Sequence, residues 1–298
     1  MTKYKVIVDS RYGYRRLEPL PTEDELRHFY GDQYYNLLQT GNRVPELRKL
    51  MQGGEEARAE LEWLSQTLWK DVLDVLTEQG LKETKPRLLD VGCGLGHFGQ
   101  YMQLAGWEVV GVETSRDARE VACSLGIAIF NSLEECVQHV NHKFEAVTLL
   151  NVLEHVLEPA DIIQKIRPLM HDKSVLVVRV PNDFSSLQEF ARRKLQIEPW
   201  WITTPDHVNY FNFESLVHFL EQLDFQIVET LSDFPMELFL LFGEIYVGNP
   251  QVGSECHRKR VALELSIPSE ERRKLYKCFA KHGIGRDCLV FAKPRLSD

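Results

Sequence analysis

The sequence predicts an α/β fold: a doubly wound, mainly parallel sheet behind an N-terminal helical cap. Three observations carry this. From residue 87 onward, short apolar runs alternate with helical stretches. A glycine-rich segment joins the first such run to the first such helix. Before residue 80, apolar residues recur at three- and four-residue steps, as in an amphipathic helix.

The elements follow in order. YKVIV at 4–8 and YRRL at 14–17 flank a turn containing Gly13, which predicts a hairpin arm over 1–21. Thr22 with Glu25 forms a capping box and opens a helical cap over 22–83, in which Leu61, Leu64, Leu68, Val72, Val75 and Leu76 mark one apolar face. The third unit runs over 84–298. Its strand candidates are 87–91, 107–112, 127–130, 144–150, 174–180, 225–231 and 288–293. Helices fit at 97–105, 115–124, 132–139, 159–169 and 213–222, so successive strands are joined by crossovers. A long insertion at about 232–287 carries helices near 236–246, 255–265 and 268–282.

Composition narrows the function. The 298 residues are 44% hydrophobic and 27% charged, which suits a packed globular chain. A net charge of -9 repels phosphate backbones and argues against nucleic acid as a partner. The basic groups Arg192-Arg193-Lys194 and His257-Arg258-Lys259-Arg260 read as solvated helix faces. None of the six cysteines forms a C-x-x-C pair, so reduced thiols in a cytoplasmic protein are expected. The N-terminus lacks the apolar core of a signal peptide, and no run is long enough for a bilayer, so no membrane partner is expected.

The glycine segment is the chemical signal. A strand ends in Asp90, followed by Gly92-Cys93-Gly94-Leu95-Gly96 and a helix. Such a loop lets the backbone approach a ligand closely, at a helix start with free N–H groups. Gly94, Gly96 and Gly99 also spell the dinucleotide fingerprint, which keeps a nicotinamide dehydrogenase among the readings. Asp90 argues otherwise, because a carboxylate there repels a pyrophosphate and favours a cationic ligand. Glu113 ends the next strand, where a carboxylate can accept both ribose hydroxyls.

Asp90-Val91-Gly92-Cys93-Gly94, Glu113 and Asn151-Val152-Leu153-Glu154-His155 together resemble motifs of class I S-adenosylmethionine (SAM)-dependent methyltransferases. The similarity is closer to the bacterial branch holding the ubiquinone-biosynthesis O-methyltransferase and sugar and natural-product methyltransferases. Asp206-His207-Val208-Asn209-Tyr210-Phe211 is similar to a segment after that branch's fifth strand. The resemblance covers about 84–231 and the final strand. It implies a Rossmann-like sheet of seven strands with the last antiparallel, and SAM as cofactor. Asp90, Gly92, Cys93 and Gly94 would meet its amino-acid part and Glu113 its ribose. Thr114 and Ser115 would lie near the adenosine, Asn131 and Ser132 near the adenine, and Asn151 and Val152 at the cofactor's edge. Asn131 stands where relatives often carry an acid.

Glu154, His155 and His207 are the catalytic candidates. If 151–155 is helical, Asn151, Glu154 and His155 share a face at the carboxyl edge of the sheet. His155 and His207 are open to three roles: general base, metal ligand, or hydrogen bonding that lines the crevice. Some relatives hold a divalent metal through Glu, Glu, His and His; Asn151 replaces the first Glu, so no metal is assigned. Tyr34, Tyr35, Trp200, Trp201 and Tyr210 are candidate acceptor contacts, the two tryptophans as ligand-facing residues of a loop. Phe234 to Val247 is a candidate lid or subunit contact, which leaves a homodimer open. The implied activity is methyl transfer to a small-molecule acceptor. The alternatives are RNA methylation and a SAM-binding regulatory protein without turnover.

Overall fold

The computed structural model describes residues 3–28, 50, 53–81 and 85–295. Its frame is a seven-stranded sheet. The strands are β3 (Arg87–Val91), β4 (Glu108–Val112), β5 (Ala128–Phe130), β6 (Phe144–Leu150), β7 (Met170–Pro181), β9 (Phe225–Leu231) and β10 (Asp287–Pro294), in the order β5-β4-β3-β6-β7-β10-β9. The pairs β3–β4, β3–β6, β4–β5 and β6–β7 are parallel, and β10 runs antiparallel to both its neighbours. The predicted α/β class and the reversed last strand therefore hold.

Near-continuous apolar runs such as FEAVTLL and KSVLVV form these strands because both faces are covered. One face packs against α6 (Leu133–His139), α7 (Pro159–Ile166) and α9 (Phe213–Gln222). The other packs against α3 (Leu68–Glu78) and α4 (His97–Leu104), with Trp69, Val72, Val75, Leu76, Phe98 and Met102 buried on Leu88, Val177 and Phe291. α5 (Arg116–Ser124) completes the β4-to-β5 crossover. α2 (Gly54–Gln66) leads into α3, and the single amphipathic helix read there breaks at Thr67, whose φ of -118° and ψ of -99° are not helical.

The hairpin is present, as β1 (Lys5–Val8) and β2 (Arg15–Glu18). Asp9 Oδ1 accepts from Arg11 N and Tyr12 N, and Gly13 has φ +78°, so the turn has its expected chemistry. β2 also pairs with β8 (Asn209–Tyr210), an element that no sequence pattern marks. Tyr12 and Tyr14 pack on Phe219. The capping box at α1 (Glu23–His28) forms in both directions between Thr22 and Glu25.

Other departures have local causes. α8 (Ser186–Leu195) is an additional helix, opened by a capping box between Ser185 and Gln188. The helix expected at 236–246 shortens to α10 (Glu237–Leu241), ended before Gly243 at φ +95°. α11 (Pro250–Ser266) and α12 (Ser269–Lys281) stand where the other two insertion helices are expected. Of the basic groups, Arg192 pairs with Glu189 on its own helix. Arg260 instead is buried and pairs with Asp233 and Glu264, so that group is only partly a solvated face. The six thiols are free, and no described helix is long and apolar enough to cross a membrane.

Candidate active site

The glycine loop turns at the carboxyl edge of β3. Gly92, Gly94 and Gly96 have φ of +72°, +54° and +81°, a region L side chains rarely adopt. Gly92 N and Cys93 N both donate to Val112 O. A Cβ on Gly92 would lie 2.5 Å from Val152 Cγ2, so the loop sits directly under the 151–155 turn. Gly96 and Gly99, which complete the dinucleotide fingerprint, serve packing: added Cβ atoms would strike Ala122 and Ile127 at 2.7 and 2.8 Å. Their spacing thus reflects close helix–sheet contact.

Two carboxylates flank the loop. Asp90 is 3% exposed and accepts from Thr148 Oγ1 at 2.6 Å. Burial pushes its carboxyl up to about 7, against the pull of the Thr148 bond and with a push from Glu113. Glu113 follows β4, and its two oxygens accept from Gly94 N at 2.9 Å and Ser115 N at 2.7 Å. The acid therefore fixes the rim of the loop. Ser115 and Ser132 cap α5 and α6, and Asn131 N donates to Glu135 at 2.8 Å. Thr114 is exposed beside Glu113. All these predicted cofactor residues lie along the ends of β3, β4 and β5.

The catalytic candidates converge, though without a helix. Asn151 takes the left-handed conformation at φ +60°, and His155 N closes a tight turn onto Val152 O at 3.0 Å. Asn151 Nδ2 donates to Glu154 Oε1 at 3.0 Å. Glu154 is 1% exposed, and burial pushes its carboxyl up to about 7, opposed by bonds from its own backbone and Asn151 and by Arg179. His155 Nε2 lies 3.9 Å from Glu154 Oε1, and His155 Nδ1 meets Asp206 at 3.1 Å. The rings of His155 and His207 cross at 85° with centroids 4.9 Å apart.

The 206–209 segment is tied to this turn: Val208 N and Asn209 N both donate to Glu154 O, and Asn209 Nδ2 donates to Leu153 O and Val156 O. Among the described residues, His155, Asp206 and His207 form a group whose ligand atoms lie within 4.8 Å of one another, close enough for a divalent cation or for proton sharing.

Sequence reasoning passes over Asp206 and Arg179. Asp206 adjoins His207 in the quoted motif. Arg179 is the one charged residue in the buried run Val175 to Val180. Tyr34 and Tyr35 lie outside the described residues. Trp201 is 5% exposed and Tyr210 1%, both against Phe184, while Trp200 is half-buried across Trp201 at 4.9 Å. Instead of projecting into solvent, Trp201 packs on Phe184, which also meets Tyr210, and Tyr210 lies 6.4 Å from His207. The Trp200 and Trp201 Nε1 atoms are enclosed and have no hydrogen-bond partner among the described residues.

An open α/β sheet with a glycine loop and a strand-end carboxylate defines a nucleoside-binding class, with the ligand at the carboxyl edge. The family model for a methyltransferase domain matches residues 61–230, and the chain belongs to that family. The ubiquinone biosynthesis O-methyltransferase of Actinobacillus pleuropneumoniae serotype 7 (strain AP76) is 34% identical over 107 residues, 32% of this chain and 46% of the relative. That of Alkalilimnicola ehrlichii (strain ATCC BAA-1101 / DSM 17681 / MLHE-1) is 38% identical over 81 residues, 25% and 33% of the two chains. The chain thus spans about half the length, or less, of these curated relatives.

Among solved structures, magnesium protoporphyrin IX methyltransferase from Synechocystis PCC 6803, with bound SAH, superposes at a TM-score of 0.50 and 15% identity, covering 70% of this chain and 92% of that one. The cyclase SpnF superposes at 0.54 and 16%, covering 94% and 99%. These two establish the shared fold, and the cyclase shows that the fold also serves other chemistry.

Proposed function

We propose that this chain transfers a methyl group from SAM to a hydroxyl of a small organic acceptor. Family membership supports methyl transfer, and the names of the curated relatives support oxygen as the nucleophile. The observation that carries the reading is the pairing of two carboxylates, Asp90 and Glu113, with a glycine loop pressed under the 151–155 turn. Such a cradle suits a ribose and a positive charge and repels a pyrophosphate.

When bound, SAM supplies an electrophilic methyl on a sulfonium. The chain supplies position and proton handling. Gly92 lets the backbone approach the cofactor, and Glu113 is placed to accept ribose hydroxyls. Asp90 sets a negative field beneath the amino-acid part. Cys93, Gly94, Thr114, Ser115, Asn131, Ser132, Asn151 and Val152 would complete the cofactor's surroundings.

A hydroxyl nucleophile needs a base, and a base works best with a pKa near the operating pH. Glu154, raised to about 7, meets that requirement. His155, with Nδ1 turned to Asp206, presents Nε2 on the same side as Glu154 and beside His207. We assign Glu154, His155 and His207 to proton transfer and to acceptor orientation, without a resident metal. Trp200, Trp201 and Tyr210 would form the acceptor wall. Tyr34 and Tyr35 would add contacts to the acceptor.

The engagement of Arg192 with Glu189 and of Arg260 with buried acids supports a small acceptor over RNA. The test is transfer of labelled methyl from SAM to a panel of phenols and catechols. Turnover on at least one, reduced a hundredfold or more in Glu154→Gln, is expected. SAM binding with no transfer to any oxygen, nitrogen or carbon acceptor would favour a regulatory SAM-binding role.

A further inference from the structure

The insertion between β9 and β10 reaches the SAM-facing turn through one chain of polar contacts. Arg179 lies near the end of β7. Its backbone oxygen accepts from Asn151 N at 2.8 Å, and its Nη1 donates to Asn151 Oδ1. Nη2 donates to Asp287 Oδ2 and lies 3.8 Å from Asp233 Oδ2. Asp233 is held in turn by Arg260 Nη2 and by the backbone N–H groups of Arg286 and Asp287, each at 2.9 Å. Arg260 Nε reaches Glu264 Oε2 at 3.3 Å, which also accepts from Trp63 Nε1 at 2.7 Å.

At the other end, Asn151 is used fully. Its amide oxygen is held by Arg179, and its amide nitrogen donates to Glu154. That fixes the amide's orientation, since a flipped amide would set its oxygen against the Glu154 carboxylate and its nitrogen against a guanidinium. Asn151 also takes a left-handed backbone at φ +60°, a conformation that persists where the surroundings over-determine it. The next residue, Val152, presses on Gly92 of the cofactor loop.

We propose that Arg179, anchored by Asp233, Asp287 and Arg260 of the insertion region, is the positioning residue that locks the Asn151–Glu154 turn over the SAM loop. The inference rests on reading that loop as the SAM site. It gives the 232–287 insertion a role in cofactor binding. The insertion's carboxylates hold the guanidinium fork in one orientation, and the fork holds Asn151. Lysine keeps the charge but has no planar fork, so it cannot hold Asn151 and Asp287 together in this geometry.

The experiment is calorimetric binding of S-adenosylhomocysteine (SAH) to the full chain, with thermal unfolding beside it. Wild type is compared with Arg179→Lys, Arg179→Met, Asn151→Ala and the double variant Arg179→Lys/Asn151→Ala. Arg179→Lys is expected to stay folded and to bind SAH at least fivefold more weakly. Asn151→Ala is expected to do the same. The double variant is expected to lose no more than the larger single loss, because both changes release the same turn. Arg179→Met leaves Asp233 and Asp287 with one fewer cation, only Arg260 and Arg286 then facing them, so its unfolding midpoint falls further; Arg179→Lys carries the test if Met fails to fold. Wild-type affinity in folded Arg179→Lys, or a double loss equal to the product of the single losses, overturns the positioning role. Failure of the wild type to bind SAH overturns the SAM reading itself, and this inference with it.

Discussion

Gly92→Ala probes how tightly the turn and the cofactor loop are coupled. Two costs can be read from the structure. A side chain at φ +72° incurs the left-handed penalty of about 1–2 kcal/mol. The new Cβ would sit 2.5 Å from Val152 Cγ2, an overpacking cost of about 1–3 kcal/mol. The sum centres at about 3.5 kcal/mol, a fall of roughly 6 °C in Tm for a chain of 298 residues at about 2.1 cal/mol/K of unfolding entropy per residue.

Gly94→Ala is the control, since it has φ +54° and nothing within 4 Å of its added Cβ. Only the backbone term applies there, about 1–2 kcal/mol. Adding Val152→Ala to Gly92→Ala should recover the contact term, with a coupling of about 1–3 kcal/mol in a double-mutant cycle. Thermal unfolding and SAH calorimetry of the four variants provide the assay. The reasoning is refuted if Gly92→Ala costs no more than Gly94→Ala, or if Val152→Ala and Gly92→Ala add independently.

Glu113→Gln keeps the shape of the rim but removes the charge that accepts from Gly94 N and Ser115 N, and SAH affinity should drop about tenfold or more by calorimetry. His207→Ala should lower transfer to a phenolic acceptor at least tenfold while leaving SAH affinity within twofold; an unchanged rate would remove His207 from catalysis. Asp90 carries the pH prediction. Its folded pKa of about 7 exceeds its ordinary value of 3.8, so the folded chain binds this proton more tightly than the unfolded one. Its contribution to stability is complete below about pH 4 and is lost as pH rises toward 7, and Asp90→Asn should flatten that part of a Tm–pH profile. A cationic ligand should pull the pKa down, so SAM binding near pH 6.5 should release protons, detectable as a buffer-dependent enthalpy. Turnover should survive a chelator such as EDTA, and loss restored by a divalent ion would instead assign the His155–Asp206–His207 group to a metal.

The sheet was legible because its strands are buried on both faces and bounded by turn residues: 87–91, 144–150 and 225–231 match the structure residue for residue. β8 was not legible, because two residues carry no period and its pairing comes from β2, nearly two hundred positions away. α8 was overlooked although its Ser185–Gln188 cap stands in the sequence. The cofactor loop was readable because glycine at positive φ and acids at strand ends have local causes. The catalytic turn was readable in its residues but not in its shape. Its convergence comes from Asn151 in a left-handed turn, pinned by Arg179 and the 206–209 segment, and these are long-range contacts that no local pattern encodes. The burial of Trp201 was not legible for the same reason, since Phe184 packs on it from elsewhere in the chain.

The central claim is that the Asp90–Gly96 loop and Glu113 hold a cationic nucleoside. Calorimetry of the wild-type chain with SAM, SAH and NAD tests it most directly. Saturable one-to-one binding of SAM and SAH, with no heat from NAD, is the predicted result. Binding of NAD in preference to SAM would contradict the account.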